Sequence, residues 1–190
     1  MQNTPKGLRL QIGIFGRRNA GKSSLLNALA RQDVAIVSET PGTTADPVEK
    51  AMEMLPLGPV LLIDTAGLDD DAALIGGLRV EKSRKIFERA DIALIVSDAS
   101  WGAFEEKLLS DFAERGTAVI AVFNKTDVAF PPQNVLDSLR ERSVSFVMVS
   151  AGKGEGLGEL REMILRKAPE DFLSSDKMLG DLVPAGSAVM

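Results

Sequence analysis

The chain contains no cysteine, no histidine and no tyrosine. Without thiols it forms no disulfide, and without thiolate or imidazole it cannot build nitrogen–sulfur metal centres. Any metal must be held by oxygen, from carboxylate, hydroxyl, carbonyl or phosphate. No apolar run approaches the roughly 20 residues that cross a bilayer. The polar stretch Met1–Gly7 lacks the apolar core of a secretory signal. The expectation is a cytoplasmic location and no membrane partner. A basic stripe is missing too. The net charge is −5, with lysines and arginines scattered among acids, which speaks against a nucleic-acid surface.

What is present fits one soluble domain: 190 residues suffice for a substantial core. The stretch that organises it is Gly16-Arg17-Arg18-Asn19-Ala20-Gly21-Lys22-Ser23. It follows the apolar run Leu10 to Phe15 and opens a helical pattern through Ser24 to Ala30. A strand, a GxxxxGKS loop and a helix in that order make a phosphate-binding P-loop. Gly16 and Gly21 let the backbone wrap an anion closely. The loop N–H groups and the helix N-terminus supply donors and partial positive charge. Lys22 is expected to reach the β- and γ-phosphates, and the Ser23 hydroxyl to ligate Mg²⁺, with Ser24 beside it in the binding set. An ordinary glycine turn is disfavoured by the full spacing in that context.

The remaining chain alternates apolar strands with amphipathic helices. Strands are expected over residues 8–15, 60–63, 92–96, 118–123 and 144–149, with an imperfect one over 48–57. Helices are expected over 22–30, 78–89, 104–115, 131–142 and 157–165, burying Leu25, Leu26 and Leu29 in the first and Val135, Leu136 and Leu139 in the fourth. This order gives a three-layer α/β fold of about six mostly parallel strands, helices on both faces.

The segments after the strands carry chemistry. Residues 38–46 (Ser-Glu-Thr-Pro-Gly-Thr-Thr-Ala-Asp) read as an exposed loop. A threonine there, Thr43 or Thr44, can complete a Mg²⁺ shell while a γ-phosphate is present, although in isolation the pair is a plain hydrophilic turn. Asp64-Thr65-Ala66-Gly67 ends an apolar strand where open α/β sheets bind ligands. Asp64 is expected to hold Mg²⁺ through water, and the Gly67 N–H to meet the γ-phosphate. Asn124-Lys125-Thr126-Asp127 is a guanine-recognition pattern. The Asp127 carboxylate can accept from guanine N1–H and its exocyclic amine together, a donor pair adenine lacks. Asn124 is expected to tie this loop to the P-loop, and the Lys125 stem to cover the base. A backbone N–H in Ser150-Ala151-Gly152 is expected to meet guanine O6. Trp101 reads as a packing or surface residue. After Pro169 the periodicity is lost, so residues 1–168 are read as the nucleotide domain and 169–190 as a linker and the start of a further domain.

These ordered motifs resemble a GTPase domain of the TrmE/Era-like class. Within it, GRRNAGKSSLLNAL, AIVSETPGTTADPVEKAMEMLPLGPV, LIDTAGLDD and DLVPAG resemble the FeFe-hydrogenase maturation GTPases (HydF). The resemblance implies GTP and GDP as ligands, slow hydrolysis, and an antiparallel edge strand near 48–57. It implies K⁺ bound beside the phosphates by Asn19 and by the segment carrying Ser38 and Thr40, in place of an arginine finger. It favours Thr44 over Thr43 as the switch threonine. With Lys22, Asn19 and Gly67, Thr44 completes the expected catalytic set. Leu68 stands where Ras-type enzymes carry glutamine, so no water-positioning side chain is nominated. In that family a dimerisation region and a cysteine-bearing iron–sulfur domain follow. Without cysteine this chain carries no cluster; radical-SAM maturases, apo-hydrogenase and a dimer partner would be met through the longer protein. Two further readings stand beside it: a binding switch with incidental hydrolysis, and a tRNA-modification or ribosome-assembly GTPase of the same class.

Overall fold

The computed structural model describes residues 9–32, 36–40, 48–65 and 86–173. In chain order these form β1 (Leu10–Phe15), α1 (Lys22–Gln32), β2 (Ile36–Thr40), β3 (Val48–Met54), β4 (Gly58–Asp64), β5 (Ile92–Ser97), α2 (Ala103–Glu114), β6 (Ala118–Phe123), α3 (Gln133–Glu141), β7 (Ser145–Met148), α4 (Leu157–Lys167) and α5 (Glu170–Leu173). Residues 86–89 are also helical; the rest of the helix expected over 78–89 lies outside the described residues.

One seven-stranded sheet runs in the order β2-β3-β4-β1-β5-β6-β7. β3 is antiparallel to both neighbours, and every other pairing is parallel. The mostly parallel three-layer fold is as expected, with one correction. The antiparallel strand is not the edge, because residues 38–40 are not loop. They continue β2, with Ser38 opposite Ala51, Glu39 opposite Lys50 and Thr40 opposite Glu49. Polar residues hid this strand, since an edge needs only one paired flank and admits polar chains.

Side-chain alternation along the strands separates two cores. Leu10, Ile12, Ile14, Val60 and Leu62 pack with Leu25, Leu26 and Leu29 of α1 and with Leu157, Leu160 and Ile164 of α4. Phe15, Leu61, Ile63 and Ile95 face the other way, against Leu109 and Phe112 of α2 and Leu136 and Leu139 of α3. Val135, expected inward, is only partly buried. Beyond Pro169 the short α5 continues the chain, and Phe172 leans on the first core.

The fully buried Phe112 ring stacks 4.0 Å from Phe87 and lies 4.8 Å from Phe15. It ties α2 to β1 at Phe15, the residue before Gly16. Phe112→Ala is expected to lower unfolding free energy by about 3–5 kcal/mol, read as a reduced denaturation midpoint at unchanged slope.

Candidate functional site

β1, β4, β6 and β7 deliver their C-terminal ends to one rim of the sheet, and the chemistry collects there. The loop leaving β1 turns through positive φ at Gly16 (147°), Asn19 (63°) and Gly21 (92°). At Gly16 a Cβ would run into the Val96 carbonyl oxygen of β5, and at Gly21 into the Asn124 amide. Both glycines are thus required twice, by backbone conformation and by close approach. Asparagine tolerates the left-handed region better than most residues, which suits position 19.

Lys22 is buried, and its ammonium donates to the carbonyls of Gly16 (2.7 Å) and Arg17 (2.8 Å). The charge is thereby held across the loop. The Ser23 hydroxyl donates to Asp64 Oδ2 at 2.5 Å. Asp64 is itself buried at the end of β4. The next residue, Thr65, fastens that end to β1 by donating from Oγ1 to the Ile14 carbonyl at 2.6 Å. A hydroxyl and a carboxylate so placed fit Mg²⁺, which characteristically takes one or two protein oxygens and completes its shell with phosphate and water. No group of three or more acidic, histidine or cysteine residues that could hold a metal occurs among the described residues.

The base end is built on Asn124. Its side-chain amide donates to the carbonyls of Ala20 (3.0 Å) and Gly21 (3.4 Å), while its Oδ1 accepts from the Ala151 N–H (3.0 Å). The expected tie to the P-loop is present, and the same side chain also holds the Ser150–Gly152 turn. Lys125, at φ 61°, sends its ammonium to the Asn19 carbonyl at 2.5 Å, so its stem spans the two loops. Asp127 Oδ1 accepts from the Ser150 hydroxyl at 2.7 Å, and Lys153 Nζ stands 4.0 Å from Oδ2. The Ser150 hydrogen bond, above all, holds the Asp127 carboxyl below the usual carboxylate range, with the Lys153 charge adding to it and partial burial opposing it. The group is therefore an acceptor at neutral pH.

The structure thus brings together residues 16–24, Asp64, Asn124, Lys125, Asp127 and residues 150–152. Thr44, Gly67 and Leu68 lie outside the described residues. Ser38 and Thr40 lie on β2, with β3 and β4 between that strand and β1 in the sheet. One contact went unforeseen. Arg17 Nη2 donates to Glu105 Oε2 at 3.0 Å across 88 positions of sequence. The local pattern Gly102-x-x-Glu105 signals a helix cap, and nothing in it announces an arginine partner. Trp101 packs 5.4 Å from Phe123 and donates to Glu106.

Residues 11–125 match the family model described as 50S ribosome-binding GTPase. The tRNA modification GTPase MnmE of Heliobacterium modesticaldum is 42% identical over 159 residues, covering 80% of this chain and 33% of that protein. The chain spans about a third of the length of the curated relatives it matches. Among solved structures, an Aquifex aeolicus Era variant bound to GDP and AlF4⁻ superposes with a TM-score of 0.66 at 31% identity, covering 84% of this chain and 56% of that one. Era in complex with MgGDPNP and nucleotides of 16S ribosomal RNA superposes with a TM-score of 0.65 at 32% identity, covering 84% and 56% respectively.

Ser150→Ala removes the donor that chiefly depresses the Asp127 pKa, which then rises toward the ordinary 3.8. As the expected guanine acceptor, Asp127 would act in its ionised form, which the group with the lower pKa keeps to lower pH. On acidification the variant is expected to lose GDP affinity before the wild type. GDP titrations from neutrality down to about pH 3, below the ordinary carboxylate value, check this; coincident curves through that range would contradict it.

Proposed function

We propose, since the chain belongs to the 50S ribosome-binding GTPase family, that it is the K⁺-assisted, GTP-hydrolysing module of a longer protein acting in tRNA modification. The GTPase activity and the TrmE/Era-like P-loop class follow from family membership and relatives. The observation that carries the mechanism is Asn124, whose one buried side chain joins the phosphate-binding loop to the Ser150–Gly152 turn, where Ser150 in turn holds Asp127. GTP lies with its base against Asp127 and its triphosphate along residues 16–23. Lys22 is assigned to the β- and γ-oxygens, and the N–H groups of the loop to the charge that grows during transfer. Ser23 and Asp64 would hold Mg²⁺, which would supply positive charge against the phosphate oxygens. Thr44 and the Gly67 N–H are assigned the γ-phosphate contacts whose loss on hydrolysis switches their loops. Asn19, exposed in the P-loop, is assigned to K⁺ together with Ser38 and Thr40.

The tRNA reading rests on the MnmE relatives. The acidic balance of this module assigns tRNA contact to other parts of the longer protein. A second reading, FeFe-hydrogenase maturation with radical-SAM maturases and apo-hydrogenase as partners, is favoured by the stretches over 46–60 and 181–186. Cells lacking the full-length protein separate the two. Loss of a modified nucleoside from bulk tRNA supports the first; intact tRNA with lost hydrogenase activity supports the second.

Turnover tests the potassium assignment. In Na⁺ a rate on the order of 10⁻⁴ s⁻¹ is expected, rising roughly tenfold or more in K⁺ at equal ionic strength, a barrier change of about 1.4 kcal/mol. The gain should vanish in Asn19→Ala. Equal rates in both salts would remove K⁺ from the mechanism.

A further inference from the structure

We propose that Glu105 is a positioning residue for nucleotide binding, fixing the first turn of the phosphate-binding loop through Arg17. This rests on the nucleotide reading of that loop. Glu105 is completely buried, and a buried carboxylate survives only with a cation and donors around it. Its Oε2 accepts from Arg17 Nη2 at 3.0 Å and from the Gly102 N–H at 2.9 Å, and Arg17 Nε lies 2.9 Å from Oε1. The guanidinium also sits 5.9 Å from the Phe104 ring centroid. The start of α2 therefore grips Arg17 by charge, hydrogen bond and ring face. α2 is a firm anchor, because Leu109 and Phe112 are set in the second core.

The gripped residue bears directly on the cradle. The Arg17 carbonyl receives Lys22 Nζ at 2.8 Å and the Ala20 N–H at 3.3 Å. A shift of Arg17 would move both the seat of the lysine and the return of the loop. A solvent-exposed pair would contribute little, but here one partner is wholly withdrawn from water. The plainer account is that Glu105 only caps α2. That role needs an acceptor for the Gly102 N–H, which glutamine also supplies, so Glu105→Gln separates cap from charge.

The test is GDP and GTP affinity by calorimetry, with melting temperature, for the wild type, Glu105→Gln, Arg17→Gln and the double variant. Each single change is expected to weaken both nucleotides by roughly tenfold or more. The double variant should be no weaker than the weaker single, and Glu105→Gln should melt within a few degrees of the wild type. Wild-type affinity in Glu105→Gln, or losses that multiply in the double variant, would overturn the proposal. If Glu105→Gln does not fold, the double variant, with neither charge, decides: weakened binding supports the proposal and wild-type binding overturns it. A wild-type chain that binds no guanine nucleotide would instead sink the nucleotide reading itself.

Discussion

The structure turns on one buried asparagine. Strand order places β5 between β1, which launches the P-loop, and β6, which ends at Asn124. The Asn124 side chain crosses the end of β5 to reach the carbonyls of Ala20 and Gly21, and its oxygen receives Ala151 from the far side. Only a side chain with donors and an acceptor on one short stem meets both demands. Aspartate of the same shape would leave the loop carbonyls without donors. Gly21 is glycine because this amide comes so close, leaving no room for a Cβ.

From that clasp the electrostatics follow. Lys22 and Asp64 are buried, the lysine at the first position of α1 and the aspartate at the end of the parallel strand β4. Withdrawing charge from water costs several kcal/mol per ion unless partners replace it. Loop carbonyls serve the lysine, and the Ser23 hydroxyl serves the aspartate. In the proposed nucleotide complex, a phosphate and its cation would meet side chains that these contacts already hold in place, which limits reorganisation. At the other end, Ser150 keeps Asp127 ionised and oriented while Lys153 stands further off.

Much of this was legible in the sequence because the decisive patterns are short. The glycines, lysine and serine of residues 16–23 lie within one turn of chain, and Asn124 to Asp127 do likewise. Apolar runs located the parallel strands because both faces of such strands are buried. Residues 36–40 were harder: an edge strand carrying Ser38, Glu39 and Thr40 has no apolar alternation to show. The Arg17–Glu105 pair spans 88 positions and Ser150–Asp127 spans 23. Contacts made across a sheet leave no spacing to read. The biological pathway was least legible, since the stretches suggesting hydrogenase maturation carry no mechanism, whereas the MnmE likeness runs across most of the domain.

The most direct test of the central claim, that a single clasp makes base and phosphate recognition one site, is a calorimetric titration of GDP and ADP into the wild type and Asn124→Ala. Tight GDP binding with no measurable ADP binding is expected of the wild type. For Asn124→Ala, still folded, a GDP affinity at least roughly tenfold weaker is expected, in keeping with the loss of a buried, multiply bonded amide. Equal affinity for the two nucleotides, or a variant indistinguishable from the wild type, would contradict the account.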